Sequence, residues 1–267
     1  MEPIQEQTSS PAIPIAIIIG FAMIALAIFF TNNKDSVPAQ VTSQDTASQS
    51  GSVSNSGPRP VDDTDYIRGN PNAPILLIEY SDYDCPFCKQ YHDTMNQIMD
   101  EFGVDGRVAW VYRQFPIEQL HPNSPRISEA ALCVGDIAGS NAFWQFSDLI
   151  FEQRELDAPT NVIRLPDYAE RVGVSRDDYT SCMDSGRMQQ TVFDSVKDGF
   201  DAGIRGTPYT YVVAGNEQAV INGARSYEVV RAIVTNLVDQ LNGNFDPETA
   251  EIPSGAIEDT DDQSTIE

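Results

Sequence analysis

The sequence predicts an α/β domain preceded by a single membrane-spanning helix. Three observations predict it. An uncharged apolar run lies near the N-terminus. A strand runs into a Cys-x-x-Cys pair and then a helix. A second strand, a long helical block, two short strands and a last amphipathic helix follow.

The elements follow in order. Residues 1–11 form a short leading segment without Lys or Arg. Residues 12–30 are nineteen uncharged residues. As a helix rising roughly 1.5 Å per residue they span about 28 Å, close to the ~30 Å hydrocarbon core of a bilayer. A cleaved signal peptide wants a basic start and a small-x-small site. Glu2 and Glu6 stand at the start and no Ala-x-Ala follows Phe30, so the run reads as an uncleaved anchor. Residues 31–60, rich in Ser, Thr, Gln, Asn and Gly, read as a flexible tether.

The folded unit is expected over 61–242. Pro74 to Tyr80 reads as a buried strand. After Cys85-Pro86-Phe87-Cys88, the residues Tyr91, Met95, Ile98, Met99 and Phe102 fall at helical spacing, and Gly103 ends that helix. Arg107–Tyr112 is a second strand. Ser124 to about Gly206 is mostly helical. Thr210–Val213 and Gln218–Ile221 flank Gly215-Asn216 as a hairpin. Val230, Ile233, Val234, Leu237, Val238 and Leu241 stripe a last helix. Residues 243–267 carry eight acids and no base and read as a solvated, disordered tail.

The chain has 40 acidic and 16 basic residues, a formal charge of −24. That excludes a nucleic-acid binder, which needs clustered Lys and Arg. Four cysteines are too few for a disulfide scaffold but enough for one reactive and one structural pair.

Placing Cys85 where a strand turns into a helix has a chemical purpose. Unpaired N–H groups and the macrodipole at a helix N-terminus favour a thiolate. Two intervening residues bring Cys88 within disulfide reach, and Pro86 suits the first turn because its missing N–H costs nothing there. Cys85 is then the attacked sulfur and Cys88 the buried resolving one. A zinc site needs a second short-spaced pair or nearby His ligands. Only Cys133, Cys182, His92 and His121 remain for that, so no metal is expected. Gly206-Thr207-Pro208 precedes a strand. If the Pro208 bond is cis, the chain turns sharply there and leaves backbone groups free to pair with an extended substrate.

Gly69-Asn70-Pro71-Asn72-Ala73-Pro74, Glu79-Tyr80-Ser81-Asp82, Cys85-Pro86-Phe87-Cys88 and Gly206-Thr207-Pro208 together resemble the DsbA-like thiol–disulfide oxidoreductases. The resemblance covers roughly Asp62 to Asn242 and implies a thioredoxin fold with an inserted helical domain at about 119–204. It implies Cys85 as nucleophile, Cys88 as resolving cysteine, Pro208 as the cis-proline with Thr207 before it, and Glu79 as a proton relay near the pair. It also implies a structural disulfide between Cys133 and Cys182, which would support an extracytoplasmic domain. That outweighs Lys34, the one flanking base, which by the positive-inside rule would put the domain in the cytoplasm.

One position departs from the family. Strongly oxidising members carry His where this chain has Phe87, and Asp84 is expected to oppose a Cys85 anion. A less acidic Cys85 follows, with a potential between about −120 mV for DsbA and about −270 mV for thioredoxin.

His92 is expected on the exposed helix face and His121 in a loop. Trp110 and Trp144 are expected in the core, and Phe87 with Tyr209 forms an apolar rim or simply packs. The resulting expectation is a single-pass, membrane-anchored, extracytoplasmic enzyme without cofactor. It oxidises dithiols of reduced or unfolded proteins and is itself reoxidised by a quinone-linked membrane partner implied by the family. The alternatives are an extracytoplasmic reductase or isomerase, and a non-catalytic surface protein that binds zinc or a peptide.

Overall fold

The computed structural model describes residues 57–243. The expected anchor at 12–30, most of the tether and the tail after 243 lie outside the described residues. Among the described residues no helix is long and apolar enough to cross a membrane.

A five-stranded sheet forms the centre, in the order β1-β3-β2-β4-β5. β1 is Tyr66–Gly69, β2 Ile75–Ser81, β3 Val108–Gln114, β4 Tyr209–Ala214 and β5 Glu217–Asn222. β2 and β3 run parallel, and the other neighbours are antiparallel. The central strands β2 and β3 are buried nearly end to end, hence their continuous apolar runs. β1 has no counterpart in the sequence reading. It is four residues on the sheet edge, three half-buried and Gly69 exposed, too short to show an alternating pattern.

α1, Pro86–Ile98, makes the parallel crossover from β2 to β3 and runs into one π-helical turn at Met99–Gly103. Its Cys88, Tyr91, Met95 and Ile98 recur at helical spacing and are buried. Between β3 and β4 lie α2 (Ser124–Gln153), α3 (Leu165–Arg171), α4 (Arg176–Ser185) and α5 (Gln189–Asp201). α2 breaks at Gly139, whose φ of 83° only glycine adopts without cost. α6, Tyr227–Leu241, closes the domain.

Two apolar clusters cover the two faces of the sheet. The larger joins Ile75, Leu77, Trp110 and Tyr112 to α1, α2, α6 and the rest of the helical block. The smaller joins Ile78, Tyr80, Val111, Phe115 and Tyr211, with Val196 of α5 against them. α5 comes this close because Gly199 leaves room, since a Cβ there would lie 2.6 Å from the Phe115 ring.

Cys133 of α2 and Cys182 of α4 are joined by a disulfide, with Cα atoms 5.9 Å apart. The domain reaches into the expected tether. The Arg59 backbone N–H donates to Asp198 at 3.2 Å, and its guanidinium pairs with Asp65 at 2.7 Å.

Candidate active site

Cys85 is the N-cap of α1, in extended conformation, and Pro86 fills the first helical position. No side-chain cap hydrogen bond is made at this helix start, and the Phe87 and Cys88 N–H groups of the first turn act on the Cys85 sulfur. Both cysteines are free thiols. Cys85 keeps 4% exposure and Cys88 none. The Cys85 thiol donates to the Thr207 carbonyl at 3.7 Å, which brings Thr207 and Pro208 over the Cys85 sulfur. The Thr207–Pro208 bond is cis. The Asp82 N–H donates to the Cys88 sulfur at 3.5 Å.

The two sulfurs differ in acidity. Cys85 is drawn down to about 6, first by the hydrogen bond from Cys88, then against burial by the Cys88 and Phe87 N–H groups and Thr207. That lies between a free thiol near 8.5 and the roughly 3.5 of DsbA. Burial and the neighbouring Cys85 anion push Cys88 well up. One sulfur can therefore attack or be attacked at neutral pH while the other holds its proton.

Glu79 lies on the same side of the sheet, 1% exposed. Trp110 donates its indole N–H to Glu79 Oε2 at 2.9 Å. Burial pushes the Glu79 carboxyl up to about 7 despite Ser81 and Trp110. Glu79 thus holds or releases a proton near neutrality, close enough to the protonated Cys88 thiol to raise its pKa. Phe87 is 59% exposed between the two cysteines, and Tyr209, half-buried, packs on Tyr211 at 5.3 Å. Trp110 and Trp144 are buried and 4.7 Å apart.

Two sequence expectations are corrected. His92 is not on an exposed face. It is 2% exposed, packed on Trp110 and Phe151, and its Nε2 meets Asp148 at 2.7 Å. Burial lowers its pKa against the pull of Asp148. The reason is geometric: it falls one turn after Cys88 on the inward stripe of α1. Asp84 does not confront the Cys85 sulfur. Its carboxylate accepts from the Thr160 N–H at 2.7 Å and faces Arg154 at 3.5 Å, while Arg154 also donates to the Asp84 carbonyl at 2.6 Å.

Asp82, to which the sequence assigns no role of its own, is the hub of the loops around the pair. It is fully buried. It accepts from the Asp84 N–H, the Ile117 N–H and His121 Nδ1, each at 2.8 Å, and from the Ser124 hydroxyl. No local signal marks it, because three of its four partners, Ile117, His121 and Ser124, lie 35 to 42 residues away. His121 lies in a loop, as expected, but holds Asp82. Lys89 reaches across to the last carbonyls of α2 at Phe151 and Glu152. Among the described residues no group of three or more His, Cys, Asp or Glu could hold a metal ion.

Known proteins resemble the chain in sequence and in fold. Residues 62–236 match the family model described as Thioredoxin. The chain is 30% identical over 179 residues to Na(+)/H(+) antiporter NhaA 1 of Salinispora arenicola, covering 66% of this chain and 25% of the antiporter. It thus spans about a quarter of the length of the antiporter relatives it matches. A Rickettsia typhi protein provisionally named a protein-disulfide oxidoreductase is 29% identical over 135 residues, 49% of this chain and 48% of that one. Oxidised BdbD from Bacillus subtilis superposes with a TM-score of 0.60 at 21% identity, covering 68% of this chain and 97% of that one. Wolbachia pipientis α-DsbA1 gives 0.59 at 16% identity, covering 69% and 95%. At these identities the likeness to the solved structures is one of fold.

Proposed function

From the premise that the chain belongs to the thioredoxin family, we propose that it is a protein thiol–disulfide oxidoreductase that works as a dithiol oxidase. The observation that carries this is the unequal pair: Cys85, drawn down to about 6 at a helix N-terminus, beside a fully buried Cys88 pushed well up. A low nucleophile pKa stabilises the reduced form and makes the disulfide a better oxidant.

A substrate thiolate attacks the Cys85 sulfur of the Cys85–Cys88 disulfide, and Cys88 leaves. The substrate is now joined to Cys85. Its second thiolate attacks its own half of that bond and leaves with a disulfide, while Cys85 departs as the stabilised thiolate. Two electrons pass from substrate to enzyme. Cys88 needs a proton as it leaves, and Glu79 beside it can give one. The Thr207–Pro208 segment over Cys85 offers backbone to an extended peptide, and exposed Phe87 offers an apolar contact to an unfolded one.

The same reading places the domain outside the cell on a single N-terminal anchor. The apolar run at 12–30 and the Cys133–Cys182 disulfide support it. The reduced pair is returned to the disulfide by a quinone-linked membrane partner.

The test is the reduction potential of Cys85–Cys88, read by equilibrating the protein in glutathione buffers and trapping the thiols. An oxidase has a value clearly above thioredoxin's, between about −120 and −200 mV. A value near −270 mV would make it a reductase.

A further inference from the structure

Two arginines that the exchange chemistry does not use flank the cis-proline loop. Arg205 stands two residues before Thr207, and Arg225 follows β5. Tyr209 of β4 pairs with Asn222 of β5, and just past that pair the Gly223 N–H donates to the Pro208 carbonyl at 3.0 Å. The turn carrying Arg225 is thus bonded to the cis-proline itself. Tyr209 also pairs with Tyr80, so both arginines branch from the end of the sheet that leads to Cys85. They come from opposite faces. Arg205 follows Ile204 of the smaller apolar cluster, whereas Ala224 and Tyr227, around Arg225, pack on the larger one.

Neither charge is neutralised within the domain. Nine of the 13 arginines form ion pairs with carboxylates. Among the described residues Arg126, Arg171, Arg205 and Arg225 form none. Arg126 acts on Glu129, one turn along α2. Arg171 ends α3, where a cation complements the helix dipole. The acids near the other two in sequence are engaged elsewhere. Asp198 holds Arg113 and the Tyr80 hydroxyl, Asp201 holds Lys197, and Glu228 holds Ser226. In a chain of 40 acids and 16 bases, two unpaired arginines beside one loop make a local positive field.

Arg205 is also held in place. Its Nη1 donates to the Ile204 carbonyl at 2.8 Å and the Phe200 carbonyl at 3.2 Å. Its guanidinium lies over the Phe200 ring, 5.7 Å from the centroid, and that ring rests on Phe115 at 5.1 Å. The Nε–Nη2 edge makes no hydrogen bond within the domain, and such an edge takes a carboxylate through two parallel bonds.

We infer that Arg205 and Arg225 are specificity-determining residues that favour reduced polypeptides with Asp or Glu within a few residues of the reacting cysteine. The inference rests on the reading of Cys85–Cys88 as the exchanging pair and names its substrate class. A peptide extended along Thr207 and Pro208 advances about 3.3 Å per residue. Arg205 therefore meets a substrate side chain about two residues from the one opposite Thr207. Arg225 meets one on the other side of the loop. Elsewhere the acidic domain repels an acidic peptide, so the two arginines draw its acidic stretch to the cis-proline loop and its cysteine to Cys85. A lysine in the same stretch meets like charge.

The test uses full-length oxidised protein and three reduced dithiol peptides, identical except for Glu, Gln or Lys at two positions flanking the first cysteine. Second-order oxidation rates are read by trapping thiols at low salt and at high salt. At low salt the Glu peptide should react roughly threefold to tenfold faster than the Gln peptide, the range of two exposed ion pairs, and the Lys peptide slowest. The preference should fade at about 1 M salt, where the screening length is about 3 Å. Arg205→Gln and Arg225→Gln should each lower the Glu-to-Gln rate ratio, and the double variant should bring it to about one. Arg205→Glu should turn the preference toward Lys. A parent ratio of one, a ratio unchanged in the double variant, or equal slowing of all three peptides would overturn the inference. If the parent oxidises none of the peptides through Cys85–Cys88, the proposed function falls, and the selectivity with it. If it oxidises all three alike, only the selectivity falls.

Discussion

Trp110 donates its indole N–H to Glu79 at 2.9 Å, and both residues are sealed beneath the cysteine helix. Even with that donor, burial holds the carboxyl up at about 7. A carboxyl raised on folding binds its proton more tightly folded than unfolded. The stability it contributes is complete below its unfolded pKa near 4.5, is lost as pH rises through 7, and is flat beyond. In the reduced protein Glu79→Gln, which keeps an acceptor for Trp110, should therefore be more stable than the parent by about 3 kcal/mol at pH 8. The difference should close by pH 4. Urea unfolding at the two pH values checks this, and a gap that does not change with pH would refute it.

Cys85 runs the other way. Its thiol is drawn down to about 6 by Cys88 and the first-turn N–H groups, so the folded reduced protein favours the thiolate. That stabilisation is full above the unfolded pKa of a thiol and is lost as pH falls through 6. At pH 7 it amounts to about 1.4 kcal/mol. Iodoacetamide should alkylate Cys85 with a half-maximal rate near pH 6, and Cys88 should resist at every pH below 9. A midpoint near 8.5 for Cys85 would contradict the site geometry.

Much of this was legible because it is local. The strand before Cys85, the inward stripe of α1 and the hairpin at Gly215 are written in neighbouring residues, and the structure has them where the pattern puts them. What was missed is non-local or hides behind residue type. β1 is a strand only because Tyr66–Gly69 finds the edge of β3 some forty residues on. Nothing in the neighbouring residues marks Asp82 and Asp84 as buried, yet both are, with partners in loops far along the chain. His92 was in principle readable. It stands four residues after Cys88 and three before Met95, on the inward face, and only its polarity argued for the outside.

Asp82 should be the most sensitive acid in the domain. It accepts from two backbone N–H groups, His121 and Ser124, and its own N–H faces the Cys88 sulfur. Asp82→Ala leaves those buried donors without a partner, each costing about 1–3 kcal/mol. A loss of roughly 3–5 kcal/mol in chemical unfolding is expected. Asp82→Asn keeps the shape and one acceptor and should lose less. Near-parental stability in Asp82→Ala would show that the loops are held by something else.

The Cys133–Cys182 bond should act on the fold and leave the redox pair alone. It closes a loop across 49 residues between α2 and α4. In the chain-entropy view such a closure stabilises by about 4 kcal/mol, by limiting the unfolded chain. Both sulfurs are buried, at 1% exposure, and neither cysteine pairs with the α1 thiols. The double variant Cys133→Ala/Cys182→Ala should therefore lose about 4 kcal/mol in urea. Its Cys85–Cys88 potential should stay within about 10 mV of the parent's, well under the roughly 30 mV that marks a tenfold change. Mild dithiothreitol followed by disulfide mapping should find Cys85–Cys88 opened and Cys133–Cys182 intact. A large potential shift in the double variant would mean that the helical insertion tunes the cysteine pair, through contacts that α2 and α1 share at Lys89 and His92.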